Sequence, residues 1–128
     1  MKFQIDYGIE LFGIVHHPQY GKMYAYETDG YGNHVLMDDA NVPSLLSVPY
    51  LGFTDYQDEV YQNTRQFVLS HENPYYYEGT RAKGIGSPHT WPQYIWPIAL
   101  SMQGLTSQNE NEMKELIDMI MNNTGGTG

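Results

Sequence analysis

Cysteine is missing from these 128 residues, and lysine and arginine together number only 6. The first absence excludes disulfides, thiolate metal ligands and a cysteine nucleophile, without fixing a compartment. The second, set against 15 aspartates and glutamates, leaves a net charge of −9. That charge opposes binding to nucleic acid or to an anionic membrane surface. Long apolar runs are lacking too, and none approaches the ~20 residues that span a bilayer. Asp6 and Glu10 fall where a signal peptide needs an unbroken apolar segment. The sequence therefore reads as soluble, with a cytoplasmic location favoured. No Gly-x-Ser-x-Gly elbow, phosphate loop or dinucleotide fingerprint is present, and no cofactor is expected.

What is present is a globular composition of a length that suits one domain. Its marked feature is tyrosine, which occurs twelve times beside two tryptophans. These rings gather with Gly, Asn and Asp in the stretches that carry no helical period. Two readings fit them. The rings and short polar side chains suit a sugar ligand, or the tyrosines pack helical hairpins.

Four segments have the apolar spacing of amphipathic helices. The first runs from about Phe3 to His16, with Ile5, Ile9 and Phe12 on one stripe. The second spans about Thr54 to Leu69, with Val60, Tyr61, Thr64, Phe67 and Val68 in register. The third covers about Tyr94 to Leu105, and Pro97 is tolerated there only in the first turn. The fourth is expected to open with a Ser107/Glu110 capping box and to carry Met113, Leu116, Ile117, Ile120 and Met121 on one face. A shorter helix is expected over Pro43 to Val48, begun near Asn41 and stopped before Pro49. Strand alternation is absent except briefly at Met23 to Tyr26. The expected fold class is all-α, built of antiparallel helical hairpins.

Alternating helix directions sort the connections into two groups. Those at Pro49–Phe53 and Thr106–Ser107 are short and fall at one end. Those at Val15–Ala40 and Ser70–Gln93 are long and fall at the other. Long loops of this kind signal function. The polar, aromatic and glycine-rich residues are thereby expected on one rim.

On that rim, Asp38, Asp39 and Asn41 precede an apolar segment. They serve either as helix caps or, since one cap needs one side chain, as ligand-binding groups. Glu27, Asp29 and Asn33 do not match the spacing of an EF-hand, so no metal is expected. His16 and His17 read as a helix C-terminus, and His34 and His71 show no partner pattern. Gly84, Gly86, Pro88 and Pro92 set an irregular path presenting His89 beside Trp91, Tyr94 and Trp96. His89 donates to a ligand hydroxyl or bonds to backbone. Spacing alone yields no catalytic pair, because adjacent Asp38 and Asp39 diverge.

The runs Tyr24-Ala-Tyr-Glu-Thr-Asp-Gly-Tyr-Gly-Asn33, Leu36-Met-Asp-Asp-Ala-Asn-Val-Pro-Ser-Leu-Leu46 and Gly84-Ile-Gly-Ser-Pro-His-Thr90 resemble glycoside hydrolase family 125. So do Tyr61-Gln-Asn-Thr-Arg65 and Asn73-Pro-Tyr-Tyr-Tyr77. The resemblance covers most of the chain, in order. It implies a segment, over residues 1–128, of an (α/α)6 barrel that removes terminal α-1,6-linked mannose with inversion and without metal. It also implies that Asp38, Asp39, Asn41 and His89, with Tyr94 and Trp96, line a pocket for a mannose-containing oligosaccharide. Thr90-Trp-Pro departs from the family's Thr-Pro-Pro, which bears on local loop shape.

Family members are several times longer. The resemblance places their general acid, an Asp, before the equivalent of Met1. Their general base is a Glu in a Met-His-Glu-Ser-like motif following Gly128. The chain is accordingly expected to lack the N-terminal and extreme C-terminal parts and to be inactive, with Asp38 as the fallback carboxylate. A stand-alone mannose-binding, lectin-like module is the alternative, and a structural helical domain a third. Apolar stripes left without barrel neighbours predict self-association.

Overall fold

The computed structural model of the chain describes residues 8–9 and 13–124. Their architecture is mixed α and β, which corrects the all-α expectation. Three two-stranded antiparallel sheets accompany three helices among the described residues. Strands β1 (Ile14–His17) and β2 (Gly21–Tyr24) form the first hairpin, with Ile14 opposite Tyr24 and His17 opposite Gly21. Its turn closes through Gly21, whose φ of 82° suits a residue without a Cβ. Most of the helix expected from Phe3 lies outside the described residues, but its last three positions, Ile14 to His16, lie on β1. Strands β3 (Glu27–Thr28) and β4 (His34–Val35) make a second ladder, and β5 (Tyr76–Glu78) and β6 (Lys83–Ile85) a third.

Helix α1 (Glu59–Val68) starts later than its periodicity predicted, because the Asp58 carboxylate accepts from the Tyr61 amide at 2.9 Å and caps it there. Its buried face of Tyr61, Thr64, Phe67 and Val68 packs on the first hairpin. Polar pins add to that packing: the Tyr24 amide donates to Thr64 Oγ1 at 2.8 Å, and Asn63 Nδ2 donates to the Lys22 carbonyl at 2.9 Å. The His17 and Tyr20 rings meet Phe67 edge-on.

Helix α2 (Pro97–Leu105) begins on its proline, as the missing N–H requires. Helix α3 (Glu110–Thr124) is capped by Asn109, whose Oδ1 accepts from the Asn111 amide at 2.8 Å and the Glu112 amide at 3.2 Å. The expected Ser107/Glu110 box is therefore replaced. Ser107 Oγ instead accepts from the Asn109 amide, shaping the turn before the helix. Of the apolar face expected on α3, only Leu116 is fully buried, while Ile117 and Met121 are more than half exposed.

The helix expected over Pro43–Val48 is a run of turns extending to Phe53. Local side chains compete with the helical ladder there. Ser44 and Ser47 bond one another's backbone, Asp38 takes the Leu45 and Leu46 amides, and Pro49 removes a donor.

The core joins these elements through Met23, Ala40, Leu46, Phe67, Val68, Ile85, Ala99 and Met102. At 25 cal/mol per Å² and full burial, each large apolar side chain among them contributes about 1.5–3 kcal/mol. Arg65 of α1 adds a clasp, reaching Glu112 of α3 at 2.6 Å and the Gln103 carbonyl of α2 at 3.0 Å. That hydrogen bond and charge outweigh the opposing effect of burial and hold Glu112 below the usual carboxylate range.

Candidate functional site

The two long connections meet. The Ala40 amide donates to the Gly86 carbonyl at 3.0 Å, and the Gly86 amide to the Tyr75 carbonyl at 2.8 Å. Asn73 adds a second link, accepting the Asp38 amide at 3.2 Å and donating to the Val68 carbonyl at 3.0 Å. The segments that carry Asp38–Asn41 and His89–Trp96 are thus held against one framework, although the hairpins inside them were not foreseen.

Within the first segment the two aspartates have different surroundings. Asp38 is completely buried, and its oxygens accept from the Leu45 amide at 2.9 Å and the Leu46 amide at 3.0 Å. It caps the turn that follows, one of the two roles left open by the sequence. Burial pushes its carboxyl up to about 7, against the pull of the amide bonds. Asp39 Oδ1 takes both the backbone amide and Nδ2 of Asn41, each at 3.1 Å. Asn41 itself is exposed. Tyr26 is the neighbour that sequence reasoning missed. Burial, followed by the charges of Asp39, Asp38 and Glu27, raises its phenol above the ordinary value. It stays a proton-bearing donor beside two carboxylates.

The second segment is braced from within. Trp96 Nε1 donates to Thr90 Oγ1 at 3.1 Å, the Trp96 amide to the Ile85 carbonyl at 3.2 Å, and the His89 amide to Ser87 Oγ at 3.2 Å. Trp96 packs on the core, and its indole N–H is committed to the brace. Gly86 is required by close approach, since a Cβ there would stand 2.5 Å from the Tyr94 carbonyl oxygen and 2.7 Å from the Tyr77 ring. The braced loop projects His89, Trp91 and Tyr94 outward, with Gln93 between them at φ 68°. Pro88, His89, Thr90, Trp91, Pro92 and Tyr94 line an open concavity of about 520 Å³. That volume lies within the usual range for small-ligand sites.

The remaining residues singled out in the sequence are occupied locally. Asp29 accepts from the Tyr31 and Asn33 amides and from Asn33 Nδ2, closing its own loop. His16 and His17 lie on β1 rather than on a helix end, and His17 Nδ1 accepts from the Gln19 amide. His71 does have a partner, Glu78 Oε2 at 2.9 Å on the exposed face. No group of three or more His, Asp or Glu that could hold a metal ion occurs among the described residues. No described helix is long and apolar enough to cross a membrane.

Known proteins share this geometry. The family described as metal-independent α-mannosidase (GH125) matches over residues 1–128. The meiotically up-regulated gene 157 protein of Schizosaccharomyces pombe is 52% identical over 126 residues, which make up 98% of this chain and 25% of that protein. A Streptococcus pneumoniae structure from work on metal-independent α-mannosidases, a non-productive substrate complex with α-1,6-mannobiose, superposes with a TM-score of 0.94 at 51% identity. The match covers 98% of this chain and 30% of that one, so the chain spans only about a quarter to a third of the length of these relatives.

Proposed function

Because this chain belongs to the metal-independent α-mannosidase family (GH125), we propose that it is the part of an exo-α-mannosidase rim that holds a terminal α-1,6-linked mannose. The whole enzyme's activity is then hydrolysis of that linkage with inversion. In that reaction one carboxylic acid protonates the leaving oxygen while a carboxylate about 6.5–9.5 Å away activates water on the opposite face of the sugar.

The chain's own contribution is recognition. Tyr26, Asp39 and Asn41 supply a donor, an acceptor and an amide at one edge, and His89 and Tyr94 supply an imidazole and a ring at the other. In this reading the outward-facing apolar residues of α2 and α3 are surfaces meant for neighbouring parts of the enzyme. The carboxylates that cleave the bond belong, in this reading, to parts of the enzyme outside these 128 residues. The observation that carries it is the condition of Asp38, the fallback carboxylate: it is fully buried with both oxygens on backbone amides. A group so placed organises the rim rather than reaching substrate.

Incubating the chain with α-1,6-mannobiose and following anomeric protons by NMR tests the proposal. The expected result is binding at millimolar levels with no free mannose released. Turnover would overturn the division of labour, and absence of binding would overturn the recognition role.

A further inference from the structure

We propose that Trp91 and Tyr94 form an aromatic platform for a second sugar ring, and that Trp91 sets a preference for oligosaccharides over mannose alone. The inference rests on the mannoside-binding reading above and extends it to a residue outside the motif positions already discussed.

Trp91 is 84% exposed and Tyr94 61%. Exposing an indole to water forgoes most of the stabilisation that its burial would supply. Neither ring is loose packing at a chain end, because both stand on a loop held at Thr90 and Trp96 by the indole–hydroxyl bond. The Tyr94 amide also closes a turn on the Trp91 carbonyl at 3.3 Å. Between them Gln93 takes a left-handed conformation that side chains other than glycine adopt at a cost. The loop thus fixes the backbone that carries these rings without burying the rings themselves.

The concavity they line is chemically mixed. Its walls include the faces of Trp91 and Tyr94, the prolines 88 and 92, the His89 imidazole and Thr90. A pyranose matches such a surface, with C–H faces for the rings and hydroxyls for the imidazole. Gly86 connects this wall to the Asp39–Asn41 edge: its carbonyl accepts from Ala40, while Tyr94 crosses above its Cα. In this proposal one ring of a disaccharide lies at the polar edge and the next on the aromatic wall. The rings carry no charge, so binding there is expected to be insensitive to salt.

Titrations with mannose, α-1,6-mannobiose and isomaltose, read by saturation-transfer NMR and tryptophan fluorescence, test the platform. Trp91→Ala should weaken mannobiose about tenfold and mannose much less, whereas Trp91→Phe retains most of the affinity. In Trp91→Phe the ligand-induced fluorescence change should disappear although binding by NMR persists, because Trp91 reports it. Equal mannobiose affinity in wild type and Trp91→Ala overturns the platform while leaving the mannoside reading intact. Binding of isomaltose as tight as mannobiose, lost in Trp91→Ala, keeps the platform and overturns mannoside selectivity. No binding of any sugar overturns both. A concentration-dependent mass abolished by Trp91→Ala would assign the rings to contact between copies and also overturn the platform.

Discussion

Asp38 and Asn73 grip one another across 35 residues of chain: Asn73 Oδ1 accepts the Asp38 amide at 3.2 Å, and Asn73 Nδ2 faces the Asp38 carbonyl at 3.4 Å. Both residues are buried, so the Asp38 amide draws its acceptor from Asn73, whose amide group also serves the Val68 carbonyl and the Tyr75 amide. The pairing holds the polar edge of the candidate site to the connection that follows α1.

Asn73→Leu leaves the buried Asp38 amide without an acceptor. The expected loss is about 1–3 kcal/mol, seen as a lowered thermal midpoint with the unfolding transition still cooperative. An unchanged midpoint would show that the grip carries no weight.

Asp38 sets a pH dependence of known sign. Its folded carboxyl sits at about 7 against an ordinary 3.8, so the folded state holds the proton more tightly than the unfolded one. Its contribution is full below pH ~4 and is lost as pH rises through ~7. Urea titrations at several pH values should show wild-type stability declining across that window. The Asp38→Asn chain, which has no proton to lose there, should give a flatter curve.

Glu112 acts with the opposite sign. Its folded value is depressed below 4.5, so the clasp with Arg65 stabilises the chain above that pH and fades as pH falls. Glu112→Gln should cost about 1–2 kcal/mol at pH 7. That is less than a fully buried pair would lose, because Glu112 keeps 26% of its side chain in water. Arg65→Lys should not rescue the clasp, since one ammonium cannot span two oxygens and the Gln103 carbonyl.

Gly86→Ala should disturb the His89–Trp96 loop. The added methyl meets the Tyr94 carbonyl and the Tyr77 ring, at an expected cost of about 1–3 kcal/mol and with loss of sugar binding. Gly79→Ala is the control, its nearest contact being an ordinary 3.6 Å. Equal behaviour of the two variants would contradict the close-approach account.

Self-association is expected through α2 and α3. Ile98, Leu105, Ile117 and Met121 are each about half exposed or more. Light scattering should show mass rising with concentration, and the double change Ile117→Glu with Met121→Glu should suppress the rise without lowering stability.

The three helices among the described residues were legible because apolar spacing acts within a few residues, whereas their caps, Asp58 and Asn109, were not those expected. Pro97 marked the start of α2, and Phe67 and Val68 announced the inner face of α1. The hairpins were not, since ladders of two to four residues are too short to show a period. His16 and His17 on β1 also give no apolar alternation. The turn chemistry at Pro18–Gly21 and Asp29–Asn33 was the available signal, and it was read as loop. Asp38 and Asp39 were found by position, but their separate roles depend on contacts seven residues ahead and two residues ahead respectively. Tyr26 and Asn73 acquire their roles through partners remote in sequence, which no local pattern announces.

The bond between Trp96 and Thr90 has one further consequence. It separates what holds the loop from what the loop displays. The residues between these two posts can be exchanged like a cassette, altering the shape offered to a visiting molecule while the frame beneath keeps its register. Diversity among relatives, and any library built to retarget this surface, should therefore concentrate at 91–93 and spare 87, 90, 94 and 96.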